Sequence, residues 1–273
     1  MTQTILVHAD ASPEGLARLR AARAWADAHD GRVRPLLVAI EPQEPYGPGA
    51  AALKAALAAR REAIAADLAS AAKAVEAVAE TAPETLFVRA DRVRTDAASL
   101  MRTADLVVIG PPLRDDLFVD DDLFHAALFM SGRPCLVLPY RAEHARFGRR
   151  IVVAWKDCRE SARALHDSLP ALMAADAVAL VALKPEEDDV FAGQPAFDRI
   201  SAALRAHGVK LTACTVAPKR GGAVNALLRE SRAFDADLVV MGGYGRSRMS
   251  EFLLGGMTRG MLERMECPLF MSH

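Results

Sequence analysis

Residues 236–256 read Ala236-Asp-Leu-Val-Val-Met-Gly242-Gly-Tyr-Gly245-Arg-Ser-Arg-Met-Ser-Glu-Phe-Leu-Leu-Gly255-Gly256. The apolar run that ends at Gly242 is short and is followed by turn residues, which is typical of a strand buried on both faces. Glycine has no Cβ, so the backbone N–H groups of the loop that follows can approach a ligand closely. If Gly255-Gly256 begins a helix, its N–H groups and dipole favour phosphate. The segment therefore predicts a strand, a phosphate-binding glycine loop and a helix; the alternative is that the glycines only turn the chain.

The chain repeats itself at three landmarks that occur in the same order in each half. The central landmark, residues 236–242, matches Ala104-Asp-Leu-Val-Val-Ile-Gly110. The starts and the ends of the halves match as well: Ile5-Leu-Val-His-Ala-Asp10-Ala-Ser-Pro-Glu14 with Ile151-Val-Val-Ala-Trp-Lys156-Asp-Cys-Arg-Glu160, and Arg133-Pro-Cys-Leu-Val-Leu138 with Cys267-Pro-Leu-Phe-Met-Ser272. We therefore expect two copies of one domain, residues 1–143 and 148–273, which are joined in the polar stretch 141–148.

Apolar runs and helical patterns alternate within each half. The predicted strands lie near 4–9, 33–40, 84–88, 105–110 and 135–138, and near 150–155, 177–183, 209–216, 237–242 and 268–272. A helix is predicted where Leu53, Leu57, Ile64, Leu68, Val75 and Val78 recur at helical spacing. This alternation predicts an α/β protein of two tandem doubly wound, Rossmann-like domains, each with a mostly parallel five-stranded sheet flanked by helices. Ligands of such sheets bind at the carboxyl ends of the strands, where Asp10 and Gly242 lie.

Composition excludes some classes of function. The net charge of the 273-residue chain is −1, so there is no electrostatic reason for it to bind nucleic acid or an anionic membrane. No apolar run approaches the length of a membrane span. Four scattered cysteines show no metal-ligand spacing, which suits reduced thiols. We therefore expect a soluble, cytoplasmic protein.

The glycine pattern of the second half resembles the signature of the universal stress protein family. The elements of the resemblance are Gly242-x-x-Gly245, nine intervening residues and Gly255. In that family the loop wraps the ATP phosphates, and nucleotide-binding members usually have Ser or Thr after the last glycine. Here that position is Gly256, and the nearest hydroxyls belong to Ser250 and Thr258. Together with the repeat, the resemblance covers nearly the whole chain as a tandem pair.

The resemblance implies a stress-response protein that binds an adenine nucleotide, ATP with Mg²⁺, in its C-terminal domain. The backbone N–H groups of Gly243, Gly245, Gly255 and Gly256 would contact the phosphates after Gly242, with Arg246 or Thr258 assisting. Arg246, Arg248 and Arg259 flank the glycines, and ordinary surface roles, including pairs with Glu251 and Glu263, are the alternative. The family commonly dimerises, so a homodimer or an internal pseudo-dimer is expected, with Val137 and Leu269 on the terminal strands as candidate contacts.

The family's adenine contact is an Asp at the end of the first strand, and the two halves differ there. Asp10 fills this place in the first half, whereas Lys156 fills it in the second half, followed by Asp157. A lysine has only donors, so it cannot accept a hydrogen bond from the adenine amino group. The loss of one charge-assisted bond costs about 1.5–3 kcal/mol. Asp157 can replace it only if the turn is rotated.

The phosphate loop of the first half departs from the pattern. Gly110 is followed by two prolines, which lack N–H donors, and five aspartates follow between residues 115 and 122. Their charge would repel a triphosphate. The first half is therefore predicted to have lost phosphate binding and to carry a solvated acidic loop; a metal site is the alternative.

Catalytic motifs are absent from the sequence: there is no G-x-S-x-G, H-E-x-x-H or Walker A pattern, and no catalytic residue or metal ligand is predicted. His8 is interpreted as a core or rim residue, and Cys158 as a small filler or a redox-sensitive thiol. The leading hypothesis is a nucleotide-binding module with at most weak ATP hydrolysis. A nucleotide-free scaffold or sensor that acts through protein contacts is the second, and an ATP-dependent hydrolase or transferase ranks third.

Overall fold

The computed structural model of the chain describes residues 2–42, 50–112, 119–140, 147–183, 193–216, 222–243 and 256–273. The chain divides into two compact units, Met1–Arg133 and Pro134–His273. In the described part of the chain there are ten strands, four in the first unit and six in the second. Each unit has a parallel or mostly parallel sheet with helices packed against it.

The first unit has four parallel strands in the order β3-β2-β1-β4. The strands are β1 (Gln3–His8), β2 (Gly31–Glu41), β3 (Glu84–Arg89) and β4 (Leu106–Ile109). Its helices are α1 (Pro13–Ala28), α2 (Ala50–Ala79), α3 (Val93–Met101) and α4 (Val119–His125), which continues as a π-helical turn over Ala126–Met130. Helix α1 begins where the sequence supplies a cap, because the Ser12 hydroxyl accepts the N–H of Gly15 and Pro13 needs no helical donor.

The second unit has six strands in the order β5-β10-β9-β6-β7-β8. The strands are β5 (Cys135–Val137), β6 (Arg150–Trp155), β7 (Ala177–Leu183), β8 (Leu211–Val216), β9 (Leu238–Gly242) and β10 (Leu269–Ser272). The helices are α5 (Arg159–Asp167), α6 (Leu169–Ala174), α7 (Gln194–Ala206), α8 (Gly222–Ala233) and α9 (Gly256–Arg264). All strand pairs of this unit are parallel except β5 with β10, which is antiparallel.

The predicted strands and the predicted helix are confirmed, with small shifts at their ends. The expected division into two five-stranded sheets is wrong. Strand β5 comes from the end of the first repeat, yet it pairs with β10 and belongs to the second unit. In this pair Val137 lies opposite Leu269, the two residues that the terminal strands offered as a contact. The strands therefore divide four and six between the units.

The acidic segment of the first repeat differs from the expectation of a solvated loop. Asp120, Asp121 and Asp122 form the first turn of α4, where carboxylates are stabilised by the helix dipole. Asp122 also accepts a hydrogen bond from Arg94. Asp115 and Asp116 lie outside the described residues. Within the described ranges, no group of three His, Cys, Asp or Glu residues could hold a metal ion.

None of the helices in the described part of the chain is both long enough and apolar enough to cross a membrane.

Candidate functional site

The candidate site lies at one edge of the second sheet. Strands β6 and β9 are parallel neighbours, and the register that pairs Ala154 with Met241 places their carboxyl ends side by side. The Lys156-Asp157 turn and the Gly242-Gly243 pair therefore lie at the same edge, as the sequence predicted for ligand-binding residues. Tyr244, Gly245, Arg246 and Gly255 lie outside the described residues.

Gly242 is the last residue of β9 and is packed against the start of α5. A Cβ at this position would lie 2.6 Å from the backbone nitrogen of Ser161 and 2.7 Å from the carbonyl carbon of Glu160. These distances are far shorter than any real Cβ contact, so a larger residue would push the helix away from the sheet. Glycine is needed here because helix and strand approach each other closely.

Gly243 is held by the end of the next strand. Its N–H donates to the carbonyl oxygen of Ser272 (2.9 Å), and its own carbonyl oxygen lies 2.9 Å from Nδ1 of His273, which donates if it is protonated. The Gly243 N–H is therefore already used within the sheet and is not free for a phosphate. The phosphate role that the resemblance gives to this N–H does not fit the hydrogen bonding of the folded chain.

A buried carboxylate lies in the first turn of α5. Glu160 is 7% exposed, and its carboxylate accepts from its own backbone N–H, which is the largest influence lowering the pKa of this residue. Burial opposes the change, whereas Cys158, Arg159 and His273 add to it. The helix N-terminus thus holds Glu160 as an anion beside Gly242. Its sign is unfavourable for a phosphate at this point of the edge.

The residues of the β6–α5 turn face solvent. Lys156 and Asp157 are both exposed, and the Lys156 carbonyl accepts the N–H of Cys158 at 2.7 Å, which tightens the turn. Cys158 is the N-terminal cap position of α5, but its side chain makes no capping bond and instead lies 3.4 Å from the Ser161 hydroxyl. The exposed turn can therefore reach a ligand that lies over the sheet edge.

Helix α9 begins at Gly256, on the return from β9 to β10. Because these strands are parallel neighbours, the start of the connecting helix lies toward the carboxyl ends of the strands. Gly256 is exposed, and a Cβ added to it would meet nothing within 4 Å. Thr258 is 3% exposed and lies inside the first turn. Arg259 pairs with Glu263 (2.7 Å), as expected for its alternative surface role.

The corresponding edge of the first repeat is closed by its own side chains. The Asp10 carboxylate accepts from the Ser12 N–H (2.7 Å) and from the Arg18 guanidinium (3.2 Å). It lies against Gly15, where a Cβ would be only 2.4 Å from the carboxylate oxygen. Arg18 is 7% exposed and also donates from Nε to the His8 carbonyl (2.7 Å). Asp10 is therefore part of an internal hydrogen-bond network.

His8 belongs to the same network as a neutral side chain. Burial above all, and then the charge of Arg18, lower the pKa of His8 to about 3, while Asp10 has a smaller opposite effect. The interpretation of His8 as a core or rim residue fits this environment, because an imidazole with so low a pKa is a poor general base at neutral pH.

The second repeat has none of these partners. With the spacing of the matched starts, Ala154, Lys156, Ser161 and Ala164 stand where the first repeat has His8, Asp10, Gly15 and Arg18. The importance of Arg18 was missed by the sequence analysis. Its signal was the exchange of Arg for Ala at equivalent positions of two helices that both begin three residues after the Asp or Lys.

Comparison with known proteins identifies the family of the second repeat. Residues 148–273 match the family model described as the universal stress protein family. None of the curated proteins compared with the chain matches it.

Solved structures resemble the chain over its whole length. A universal stress protein from Archaeoglobus fulgidus DSM 4304 has a TM-score of 0.69 at 14% identity, with 98% of this chain and 95% of the other covered. A functionally unknown protein from Pseudomonas aeruginosa PAO1 has a TM-score of 0.55 at 18% identity, with 98% and 92% covered. The cytoplasmic domain of a prokaryotic cation chloride cotransporter has a TM-score of 0.53 at 11% identity, with 100% and 96% covered. At these identities the likeness concerns the fold.

The matched family model, the duplicated landmarks and the shared fold agree with one another. The chain therefore belongs to the universal stress protein family through residues 148–273, in the tandem arrangement that its repeated sequence predicts.

Proposed function

We propose that the chain is a cytoplasmic stress-response protein that binds one adenine nucleotide, ATP with Mg²⁺, at the β6–β9 edge of its second unit. The observation that carries the proposal is the open start of α9. Gly256 leaves the first N–H groups of this helix accessible, with no neighbour within 4 Å of an added Cβ. The free N–H groups and the dipole of a helix N-terminus suit a phosphate.

The other parts of the nucleotide would extend along the edge from this point. The glycine pattern at 242–245 and 255–256 supports a phosphate loop between β9 and α9, with Arg246 or Thr258 adding a donor. Lys156 and Asp157 are exposed at the end of β6, where the family's adenine contact lies. Since Gly242 and Gly243 are occupied by internal contacts, the phosphate donors of the proposal are Gly245, Gly255 and Gly256. The Mg²⁺ ion would arrive with the triphosphate.

The first repeat has a packing role in this proposal. Its Asp10 is bound by Ser12 and Arg18, so the carboxylate is not available to an adenine amino group. The antiparallel pair of β5 and β10 joins the terminal strands of the two repeats. The chain would therefore be an internal pseudo-dimer, and it should elute as a single chain in size-exclusion chromatography with light scattering. A stable dimer in that measurement would instead support a homodimer.

A second candidate is a nucleotide-free scaffold or sensor that acts through protein partners. It is favoured by the closed hydrogen bonding of Gly243 with Ser272 and by the close packing of α5 on Gly242. Both contacts fill space that a phosphate loop leaves free for its ligand. In this alternative the glycines serve only the packing of the sheet edge.

Calorimetric titration of ATP and of ADP, with Mg²⁺, distinguishes the two candidates. We expect saturable binding of one nucleotide per chain, and we expect a Gly245→Val variant to lose it. The fluorescence of Trp155 on β6 shows whether the variant is folded. Absence of binding to the folded parent chain would refute the nucleotide proposal and favour the scaffold.

A further inference from the structure

The second unit contains a cavity of about 270 Å³ that is distant from the candidate nucleotide edge. It lies at the amino ends of β9 and β10, between α8 and α9, whereas the nucleotide edge lies at the carboxyl ends of the same parallel strands. Val239 and Leu269 are paired in register and both line the cavity. The cavity therefore belongs to the core of this unit and is separate from the site described above.

The packing of the two helices explains why the cavity exists. Gly260 of α9 lies against Val224 of α8 so closely that a Cβ would be 2.8 Å from the Val224 methyl carbon. One and two turns further along α8, Leu228 and Ser231 line the cavity, opposite Met261. The helices are thus in tight contact at the glycine, and the space between them opens beyond it.

Ser231 leaves a hydroxyl without a partner in this cavity. The residue is 7% exposed, and its Oγ is buried and makes no hydrogen bond in the described structure. The other buried serines of the described ranges are hydrogen-bonded through their hydroxyls; for example, Ser201 donates to the Phe197 carbonyl at 2.7 Å. A buried polar group without a partner costs about 1–3 kcal/mol. The Ser231 hydroxyl is therefore available to a ligand group inside the cavity.

The remaining lining indicates what the ligand is. Leu228, Val239, Met261 and Leu269 are buried and apolar, and Met265 is half-buried. Methionine sulfur makes favourable contacts with aromatic rings and adapts to their shape. An engineered apolar cavity of roughly 150 Å³ holds benzene, so the volume here is sufficient for one substituted ring.

The rim excludes an anion. It carries the exposed side chains of Arg232, Asp235 and Glu266, and the guanidinium of Arg232 is already bound by both carboxylate oxygens of Glu266. Two carboxylates and one guanidinium give the rim a net negative charge. The charge disfavours a ligand carboxylate or phosphate at the mouth.

We propose that this cavity binds a small neutral aromatic alcohol or phenol, with its ring beside Met261 and Met265 and its hydroxyl hydrogen-bonded to Ser231. The proposal is independent of nucleotide binding, because the two sites lie at opposite ends of the strands. The same cavity offers Cys267, which burial above all keeps as a neutral thiol by raising its pKa to about 12. A neutral ligand thus meets no ionised group at the floor.

The test uses the full chain, 4-methylphenol as the probe and methionine methyl groups as reporters. In carbon-13 methyl NMR we expect the Met261 and Met265 resonances to shift saturably, because the ring lies beside them. Met173 is 52% exposed and does not line the cavity, so its resonance should not move. Equal shifts at Met173, or no shift at Met261 and Met265, would overturn the proposal.

Two substitutions of one residue separate the hydroxyl from the space. Ser231→Ala keeps the cavity and removes the hydroxyl, so 4-methylphenol should bind about five- to tenfold more weakly, while toluene binds as before. Ser231→Leu fills the cavity and should abolish binding of both compounds. Equal 4-methylphenol affinity in the parent and in both variants would contradict the proposal; if Ser231→Leu does not fold, the methyl shifts of the parent still decide.

Discussion

Leu269 of β10 lies directly opposite Val137 of β5 in antiparallel register, and both side chains are fully buried. Val137 comes from the end of the first repeat, whereas Leu269 comes from the end of the second. The pair therefore shows that a strand of one repeat completes the sheet of the unit that contains the other repeat.

Truncation of Val137 should destabilise the second unit. Val137→Ala removes buried methyl groups that pack in the β5–β10 pair, so we expect the free energy of unfolding of this unit to fall by about 2 kcal/mol. The two tryptophans, Trp25 and Trp155, lie in different units. In a Trp25→Phe background, denaturant unfolding followed by Trp155 fluorescence measures the second unit alone.

Val88→Ala is the matched control for this prediction. Val88 is equally apolar and is buried on β3 of the first unit. It should leave the Trp155 transition where it is in the parent and move the transition of Trp25 in a Trp155→Phe background. An unchanged Trp155 transition in Val137→Ala would show that β5 does not support the second unit.

The two glycines that bound the candidate loop should respond differently to the same substitution. Gly242→Ala places a Cβ 2.6 Å from the Ser161 nitrogen, so the second unit should lose about 1–3 kcal/mol of stability. Gly256→Ala meets nothing within 4 Å, and its stability should stay the same or rise by less than about 1 kcal/mol. Urea unfolding of both variants by Trp155 fluorescence checks the contrast. Equal losses would mean that α5 does not constrain Gly242.

Stability of the first unit should decrease in mildly acidic solution because of His8. The unfolded chain takes up a proton at His8 near its ordinary pKa of 6.5, whereas the folded chain does so only near 3. Between these values the unfolded state binds more protons, so stability falls as pH falls, by about 1.4 kcal/mol per pH unit. We expect a loss of at most about 2 kcal/mol between about pH 6.5 and about pH 5, measured by Trp25 fluorescence in a Trp155→Phe background.

His8→Gln should remove most of this dependence, because the amide does not titrate. His125 also has a lowered pKa, mainly through burial, so His125→Gln serves as the comparison. Glu160 and Glu266 have lowered pKa values and lose their contribution only as pH falls through the usual carboxylate range, below this window. A pH dependence that is unchanged in His8→Gln would contradict the assignment.

The sequence predicted the strands well because each is a short apolar run between turn residues, a pattern that is local to the strand. It did not predict that β5 joins the second sheet, because the pairing of Val137 with Leu269 depends on contacts between residues far apart in the chain. The aspartates at 120–122 illustrate the same limit. Their composition suggested a loop, but the start of a helix accommodates the same charges.

The candidate site was predictable in its location but not in its hydrogen bonding. The repeat placed Lys156 and Gly242 at neighbouring strand ends, and the register of β6 with β9 agrees. The use of the Gly243 N–H by Ser272 could not be predicted, since it depends on where β10 ends relative to β9. The binding of Asp10 by Arg18 left a trace in the sequence, because Ala164 replaces the arginine in the second repeat.

The most direct test of nucleotide binding in the second unit is an ATP titration of two variants at Gly256. Proline is well tolerated at the first position of a helix and lacks the N–H, whereas alanine retains it. We therefore predict that Gly256→Ala binds ATP as the parent does, and that Gly256→Pro remains folded but binds about ten- to a hundredfold more weakly. Equal affinities in the two folded variants would contradict a phosphate at the start of α9.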